Sequence, residues 1–145
     1  MPSEVKLAES GPNHEIWQGL GTLSLNWART GVVHFMITGP GHGDYAAPIM
    51  RRWDGAARQS GKIILLLDFW DMPTYDSKLR IDLTGWARNH YSQVERVHLT
   101  ARSKIVIMGA TLANIALDGI ITIHQQRAPF NTLAKQFGFS PRPAT

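Results

Sequence analysis

The stretch that most restricts the fold of this chain is an unbroken apolar run that ends on an acid, Ile63–Asp68, with the sequence IILLLD. A short continuous apolar run that follows a turn-forming pair such as Ser60-Gly61 is typical of a fully buried strand. We therefore predict a central strand over residues 62–69, with Asp68 near its carboxyl end.

Strands and amphipathic helices alternate along the rest of the chain. Residues 14–28 alternate weakly around two glycines and predict one strand or two short ones. The segments 32–39, 95–101 and 119–125 are apolar and β-branched, and each predicts a strand. Helical periodicity is carried by three sets of residues: Tyr45, Ile49, Trp53 and Ala56 or Ala57; Leu79, Leu83, Trp86, Ala87 and His90; and Phe130, Leu133, Ala134 and Phe137.

The segment 104–117, KIVIMGATLANIAL, has the propensity of a strand but the length of a helix. A run of fourteen residues exceeds the usual strand. We predict a helix capped by Ser103, with its large apolar residues on one face. That face contains Ile105, Met108, Leu112, Ile115 and Ala116.

The order of these elements predicts an α/β domain over residues 13–139. Helices that alternate with strands imply right-handed crossovers and a largely parallel sheet. We expect a single mixed, mostly parallel sheet with about four helices packed mainly on one face. Residues 1–12 and 140–145 are polar or contain Pro and Gly, and we predict flexible tails there.

Composition excludes several classes of site. The chain has no cysteine, which rules out disulfides, thiolate nucleophiles and cysteine zinc sites. The N-terminal residues lack the apolar segment of a signal peptide, and no apolar run is long enough to span a membrane, so we predict a cytoplasmic protein. The net charge is +4, but the 15 Lys and Arg are scattered, which argues against a nucleic-acid-binding face.

Three stretches of the chain resemble the STAS domain, which is found in bacterial anti-sigma-factor antagonists and in the cytoplasmic tails of sulfate transporters. Residues 63–83 resemble that family's central strand ending in Asp, followed by a helix that opens on Asp-Ser. Residues 96–117 resemble its next strand and serine-capped helix, and residues 118–137 resemble its last strand and closing helix. The resemblance covers roughly residues 14–138 and implies the STAS fold. The chain also resembles, about equally well, a related branch of stand-alone bacterial STAS-like proteins, some of which are grouped with lipid-binding Sec14-type domains.

The resemblance also implies a phosphorylation site. In the regulated antagonists, a kinase that is also the anti-sigma factor phosphorylates the serine that follows the Asp. The matching positions are Asp76 and Ser77. The chain departs from the family at the next three residues, Lys78, Leu79 and Arg80, where the family has a small residue, glycine and leucine.

Physical chemistry leaves two roles open for the pair Asp76-Ser77. Either side chain can cap the helix that begins here, which stabilises a helix by about 1 kcal/mol. A phosphate on Ser77 would also be accommodated at a helix N-terminus, with Lys78 and Arg80 near enough to pair with it. Two roles are also open for Asp68. Its carboxylate can accept N–H groups of the following loop, or it can face a ligand at the end of its strand.

No catalytic residues, cofactor or metal ligands are predicted. The six histidines are dispersed, and His34, His98 and His124 each lie within a predicted strand. Asp68, Asp71 and Asp76 offer oxygen ligands for Mg²⁺ but lack the layout that phospho-acceptor domains use. The glycine-rich segment 38–44, TGPGHGD, has no P-loop or dinucleotide pattern and predicts an exposed contact loop.

Two functions from different classes remain open. The leading hypothesis is a non-enzymatic regulatory domain that binds a protein, such as an anti-sigma factor or a related kinase, through a basic surface that suits an acidic patch. Its predicted contact residues are Ser77 with Asp68, Asp76, Lys78, Arg80 and His42. The alternative is a carrier of a small molecule or lipid, with a pocket lined by Phe35, Trp70 and Trp86. An edge strand near residues 14–27 also leaves a strand-paired homodimer open.

Overall fold

The computed structural model of the chain describes residues 4–139, in which seven strands lie side by side in chain order. A short 3-10 helix at Gly43–Tyr45 precedes the first α-helix. The strands are β1 (Lys6–Ser10), β2 (His14–Gln18), β3 (Thr22–Asn26), β4 (Val32–Thr38), β5 (Ile63–Asp68), β6 (Val94–Thr100) and β7 (Ile121–His124). The α-helices are α1 (Ala46–Ser60), α2 (Ser77–Asn89), α3 (Lys104–Ala116) and α4 (Arg127–Gln136).

The sheet is antiparallel in its first half and parallel in its second. Strands β1 to β4 pair antiparallel, whereas β4 to β7 pair parallel through the crossover helices α1, α2 and α3. Right-handed crossovers between successive neighbours place their helices on one face of a sheet. Helix α4 follows the last strand and packs on the opposite face. The predicted α/β fold, with one mixed sheet and helices mainly on one side, is therefore confirmed.

Strand β5 contributes side chains to two hydrophobic cores, one on each face of the sheet. Ile63, Leu65 and Leu67 belong to the large core beneath α1, α2 and α3. Leu66, with Ile64 packed alongside, belongs to the smaller core beneath α4. Successive side chains of a strand point to opposite faces, so an apolar residue at every position is what a strand between two layers requires.

The N-terminal segment differs from the prediction. Residues 1–12 were expected to form a flexible tail, but Lys6–Ser10 forms β1, which pairs with β2. All five residues of β1 are exposed, so the strand lacks the buried alternation by which strands are recognised in a sequence. Residues 1–3 and the predicted tail at 140–145 lie outside the described part of the chain.

The predicted edge strand is also corrected. Residues 14–27 contain all of β2 and β3, and both strands have a neighbour on each side. The edges of the sheet are β1 and β7. A dimer that formed by strand pairing would therefore use one of these two strands rather than the segment at 14–27.

Helix α3 packs against the domain through its smaller side chains. Its buried residues are the smaller ones, Val106, Gly109, Ala110 and Ala113. The ring of Tyr75 lies so close to Gly109 that a Cβ there would collide with the phenol hydroxyl. Small side chains allow this close approach, and they leave the large apolar residues of α3 outside.

No helix within residues 4–139 is both long and apolar enough to cross a membrane.

Candidate functional site

Two loops meet at the carboxyl edge of the parallel strands. The loop after β4 and the segment before α2 form an isolated parallel bridge between Gly41 and Tyr75. The Gly41 N–H donates to the Thr74 carbonyl at 2.8 Å, and the Asp76 N–H donates to the Gly41 carbonyl at 2.9 Å. The glycine-rich loop therefore fixes the position at which α2 begins.

Asp76 occupies the N-cap position of α2, but its side chain makes no capping bond to that helix. Its carboxylate instead accepts the Gly43 N–H at 2.8 Å, which stabilises the start of the 3-10 helix. Ser77 is the first residue of α2 and is exposed. Of the predicted contact residues, Asp76 and Ser77 thus lie together on the surface.

Lys78 is also on this surface and forms an ion pair with Asp82 one turn later, at 2.5 Å. The hydrogen bond from Lys78 to Asp82 raises the pKa of the ammonium group, so it remains charged at neutral pH. The aliphatic part of Lys78 packs beside Gly43. Lys78 is therefore the exposed positive charge closest in sequence to Ser77.

His42 has a structural role in the loop. It is the N-cap of the 3-10 helix, and its Nδ1 accepts the Asp44 N–H at 3.0 Å. Its Nε2 lies 3.3 Å from the carboxylate of Glu4. With both ring nitrogens in such contacts, His42 orders the loop, and its predicted part in an interface stays a prediction.

Asp68 is in the interior, which corrects its predicted place at an interface. The residue is 3% exposed, and its carboxylate accepts two hydrogen bonds from Arg127, at 3.0 and 2.8 Å. The Trp70 N–H donates to the same carboxylate at 3.1 Å, as expected for an acid that caps the following loop. Arg127 begins α4, so this ion pair ties α4 to the end of β5.

We expect the Asp68–Arg127 pair to be sensitive to the loss of one partner. Arg127→Met should lower the free energy of unfolding by about 3–5 kcal/mol, because it leaves a buried carboxylate uncompensated. The double variant Asp68→Asn with Arg127→Met should recover part of that loss. Urea denaturation measures the free energy of unfolding of both variants. If the value for Arg127→Met lies within about 1 kcal/mol of the parent value, the assignment of a buried ion pair is contradicted.

The three strand histidines all occur on the α4 face, but they do not form a ligand set. His98 Nδ1 lies 3.2 Å from His124 Nε2, whereas His34 is separated from His98 by Leu66 and stacks on Phe139. Burial lowers the pKa of His34 to about 4, so this side chain is neutral at neutral pH. Within residues 4–139 no group of three or more His, Asp or Glu is placed to hold a metal ion.

The three aspartates considered as Mg²⁺ ligands each have a different partner. Asp68 is paired with Arg127, and Asp76 accepts a loop N–H. Asp71 forms an ion pair with Arg102 at 3.2 Å.

An apolar cavity of about 80 Å³ lies between α2, α3 and the sheet. The residues predicted for a carrier pocket do not line it. Phe35 packs against Trp53 and Phe69 in the core, and the Trp86 indole N–H donates to Asp54 at 2.7 Å. Arg80, half-buried on α2, does line the cavity, and its Nε is buried with no hydrogen-bond partner.

The outward side of α3 is a stripe of large apolar side chains, which we call the α3 outer face. Its members recur at spacings of three, four and three residues, which aligns them along one side of a helix. They are Ile105 (58% exposed), Met108 (65%), Leu112 (51%) and Ile115 (72%). The periodicity of α3 identified this set in the sequence as one face of the helix, without showing whether that face is buried.

Comparison with known proteins identifies the fold. No family model and no curated protein matches the chain. Among solved structures, the chain is similar to an uncharacterized protein from the DUF3478 family of Shewanella loihica PV-4, described as having a SpoIIAA-like fold. The match has a TM-score of 0.57 and 14% sequence identity, and covers 87% of this chain and 98% of the other.

The chain has the SpoIIAA-like fold. This is the fold of STAS domains and anti-sigma-factor antagonists, so the predicted resemblance is confirmed at the level of architecture. At this identity the SpoIIAA-like fold carries no assignment of partner or activity, because one fold serves many functions.

Proposed function

We propose that this SpoIIAA-like chain is a non-enzymatic regulatory domain that binds another protein through the α3 outer face. The observation that carries the proposal is the exposure of four large apolar side chains in one helical stripe. Single exposed apolar residues are common on protein surfaces, but a contiguous patch is typical of an interaction site. Covering the stripe with a partner would remove its apolar surface from water, at roughly 25 cal/mol per Å².

The charges beside the stripe indicate the chemistry of the partner. Lys104 begins α3 and is exposed, and Arg102 precedes it with a half-exposed side chain. Because α2 and α3 both begin at the carboxyl edge of parallel strands, Lys78 lies at the same end of the domain. A partner with an amphipathic helix, apolar on one side and acidic at one end, would complement this surface.

We propose a non-enzymatic role because three of the candidate polar groups have structural surroundings. Asp68 is neutralised by Arg127, His34 is neutral and half-buried, and Asp76 is hydrogen-bonded to backbone. The cytoplasmic location stays a prediction from the sequence.

The α3 outer face is tested by placing a charge in the stripe. Met108→Glu and Leu112→Glu should each weaken partner binding at least about tenfold, because an isolated carboxylate cannot be buried cheaply. Both sites are exposed, so the free energy of unfolding should change by only about 0.5 kcal/mol. Gln136 is exposed and belongs to α4, on the other face of the sheet, so Gln136→Glu is the charge-matched control.

The measurement compares proteins co-purified from the source cells with the parent chain and with each variant. A partner retained by Gln136→Glu and lost by both α3 variants supports the proposal. Retention by the α3 variants contradicts it. If light scattering instead shows a dimer of the parent that Met108→Glu dissociates, the stripe is occupied by a second copy and the proposed partner is wrong.

We further propose that phosphorylation of Ser77 regulates this binding. Ser77 is exposed at the first turn of α2, next to the carboxylate of Asp76. A phosphoserine would add nearly two negative charges at the basic end of the surface, where it would repel an acidic partner.

Ser77→Asp should therefore lower the affinity for the partner by about tenfold, which is the size of a modest charge effect at an interface. Ser77→Ala should leave the affinity unchanged. Thr74→Asp, three residues earlier and also exposed, is the matched control for a nonspecific effect of charge. Calorimetric titration of the purified partner gives the affinities. Equal losses for Thr74→Asp and Ser77→Asp would show that the position of Ser77 has no special role.

A carrier function is the second candidate, and the apolar cavity between α2 and α3 is the observation that favours it. Ligand sites in proteins are typically concave and apolar with a few polar groups. The cavity is apolar, and Arg80 forms part of its wall.

A further inference from the structure

We infer that His98 and His124 form a two-histidine site for a divalent transition-metal ion such as Zn²⁺, on the α4 face at the edge of the sheet. The two residues belong to β6 and β7, which are parallel neighbours. The inference goes beyond the proposed function and depends neither on the α3 outer face nor on the cavity. It is carried by two imidazole nitrogens that face each other across these strands.

The distance between the facing nitrogens suits a shared ion. His98 Nδ1 lies 3.2 Å from His124 Nε2. Because zinc binds imidazole nitrogen at about 2.0–2.1 Å, an ion bound to both nitrogens would hold them at an angle of roughly 100–106°. The tetrahedral angle that zinc prefers is about 109°. Rotation of the two rings would turn both lone pairs onto such an ion without moving the strands.

Packing and hydrogen bonds orient both rings before an ion binds. The Thr100 hydroxyl donates to the His124 carbonyl at 3.0 Å, and the His124 ring meets Phe130 edge-on. His98 is in register with Leu66, a fully buried residue of β5. Ligand side chains that neighbouring groups already hold in place lose little freedom on binding, which favours the bound state.

The charge state of the pair also favours a cation. Burial lowers the pKa of both imidazoles, so both are neutral at neutral pH, and neutral imidazole is the form that binds a metal. In the hydrogen-bonded pair one ring donates and the other accepts. The donor ring would bind the ion after its proton moves to its other nitrogen, so neither ring loses a proton overall.

Arg96 is an adverse charge, since it lies two residues before His98 on the same strand and lowers the pKa of that imidazole further. It is exposed, however, so salt screens its effect on a bound ion.

The ligand type selects the class of ion. Imidazole nitrogen suits Zn²⁺, Cu²⁺ and Ni²⁺, whereas Mg²⁺ and Ca²⁺ prefer oxygen ligands. Both histidines are half-buried and β7 is an edge strand, so water would fill the remaining coordination positions. Since residues 4–139 contain no metal-binding group of three such side chains, we expect weaker binding than at a four-ligand structural site.

The first test is calorimetric titration of the untagged full chain with Zn²⁺ and with Mg²⁺. One Zn²⁺ should bind per chain, and Mg²⁺ should not bind. His98→Gln and His124→Gln should each lower the affinity for Zn²⁺ at least about tenfold, because losing even a group that only supports a ligand costs roughly 10–100-fold. His14→Gln is the matched control, since it removes a histidine that lies beside Glu9 on the other side of the sheet's centre.

A second measurement needs no variant and remains decisive if a glutamine variant fails to fold. Long-range ¹⁵N–¹H NMR spectra of the parent chain report the state of each imidazole nitrogen. Added Zn²⁺ should shift the signals of His98 Nδ1 and His124 Nε2 first. The ring signals of His14 and His42 should stay unchanged at one equivalent of Zn²⁺.

Three outcomes would overturn the inference. If Zn²⁺ binds the parent and His98→Gln equally, the ion binds elsewhere. The same conclusion follows if the ring signals of His14 or His42 shift before those of the pair. If no Zn²⁺ binds at roughly 1 mM, a concentration that detects even weak binding, the two histidines form a hydrogen bond only. The proposed protein interface on α3 is unaffected by any of these results.

Discussion

The alternation of side chains along β5 is the constraint on which the layers of this domain depend. Ile63, Leu65 and Leu67 hold α1, α2 and α3 against one face of the sheet, and Leu66 holds α4 against the other. Because the period of a strand is two residues, Asp68 must fall on the α4 face. The carboxylate therefore points at the first residue of α4, and the buried pair with Arg127 fixes where that helix begins.

Helix α3 has opposite properties on its two sides, and both proposals follow from them. Its inward residues are small, so the helix approaches Tyr75 closely and yet leaves a cavity beside α2. Its outward residues are large and apolar, so they form a stripe without cover among the described residues. A partner that binds the stripe and a ligand that fills the cavity would contact the same helix from opposite sides.

Much of this architecture was predictable from the sequence, because strand and helix periodicities are local. The order of the elements from residue 14 onward and the identity of the central strand follow from such patterns. Three features do not. Strand β1 has no buried face, the partner of Asp68 lies 59 residues away, and periodicity finds the apolar stripe of α3 without showing which side of the helix meets the sheet. Only the packing of Gly109 and its small neighbours against the domain decides that last point.

The most direct test of the α3 interface is a methyl NMR titration of the isotope-labelled chain with unlabelled extract from its source cells. The account predicts that the methyl signals of Ile105, Met108, Leu112 and Ile115 broaden or shift first. The signals of Ile64 and Leu133, which lie beneath or on α4, should change least. Perturbation confined to the α4 face, or no change at the stripe while other signals move, would contradict the claim that α3 is where this domain binds its partner.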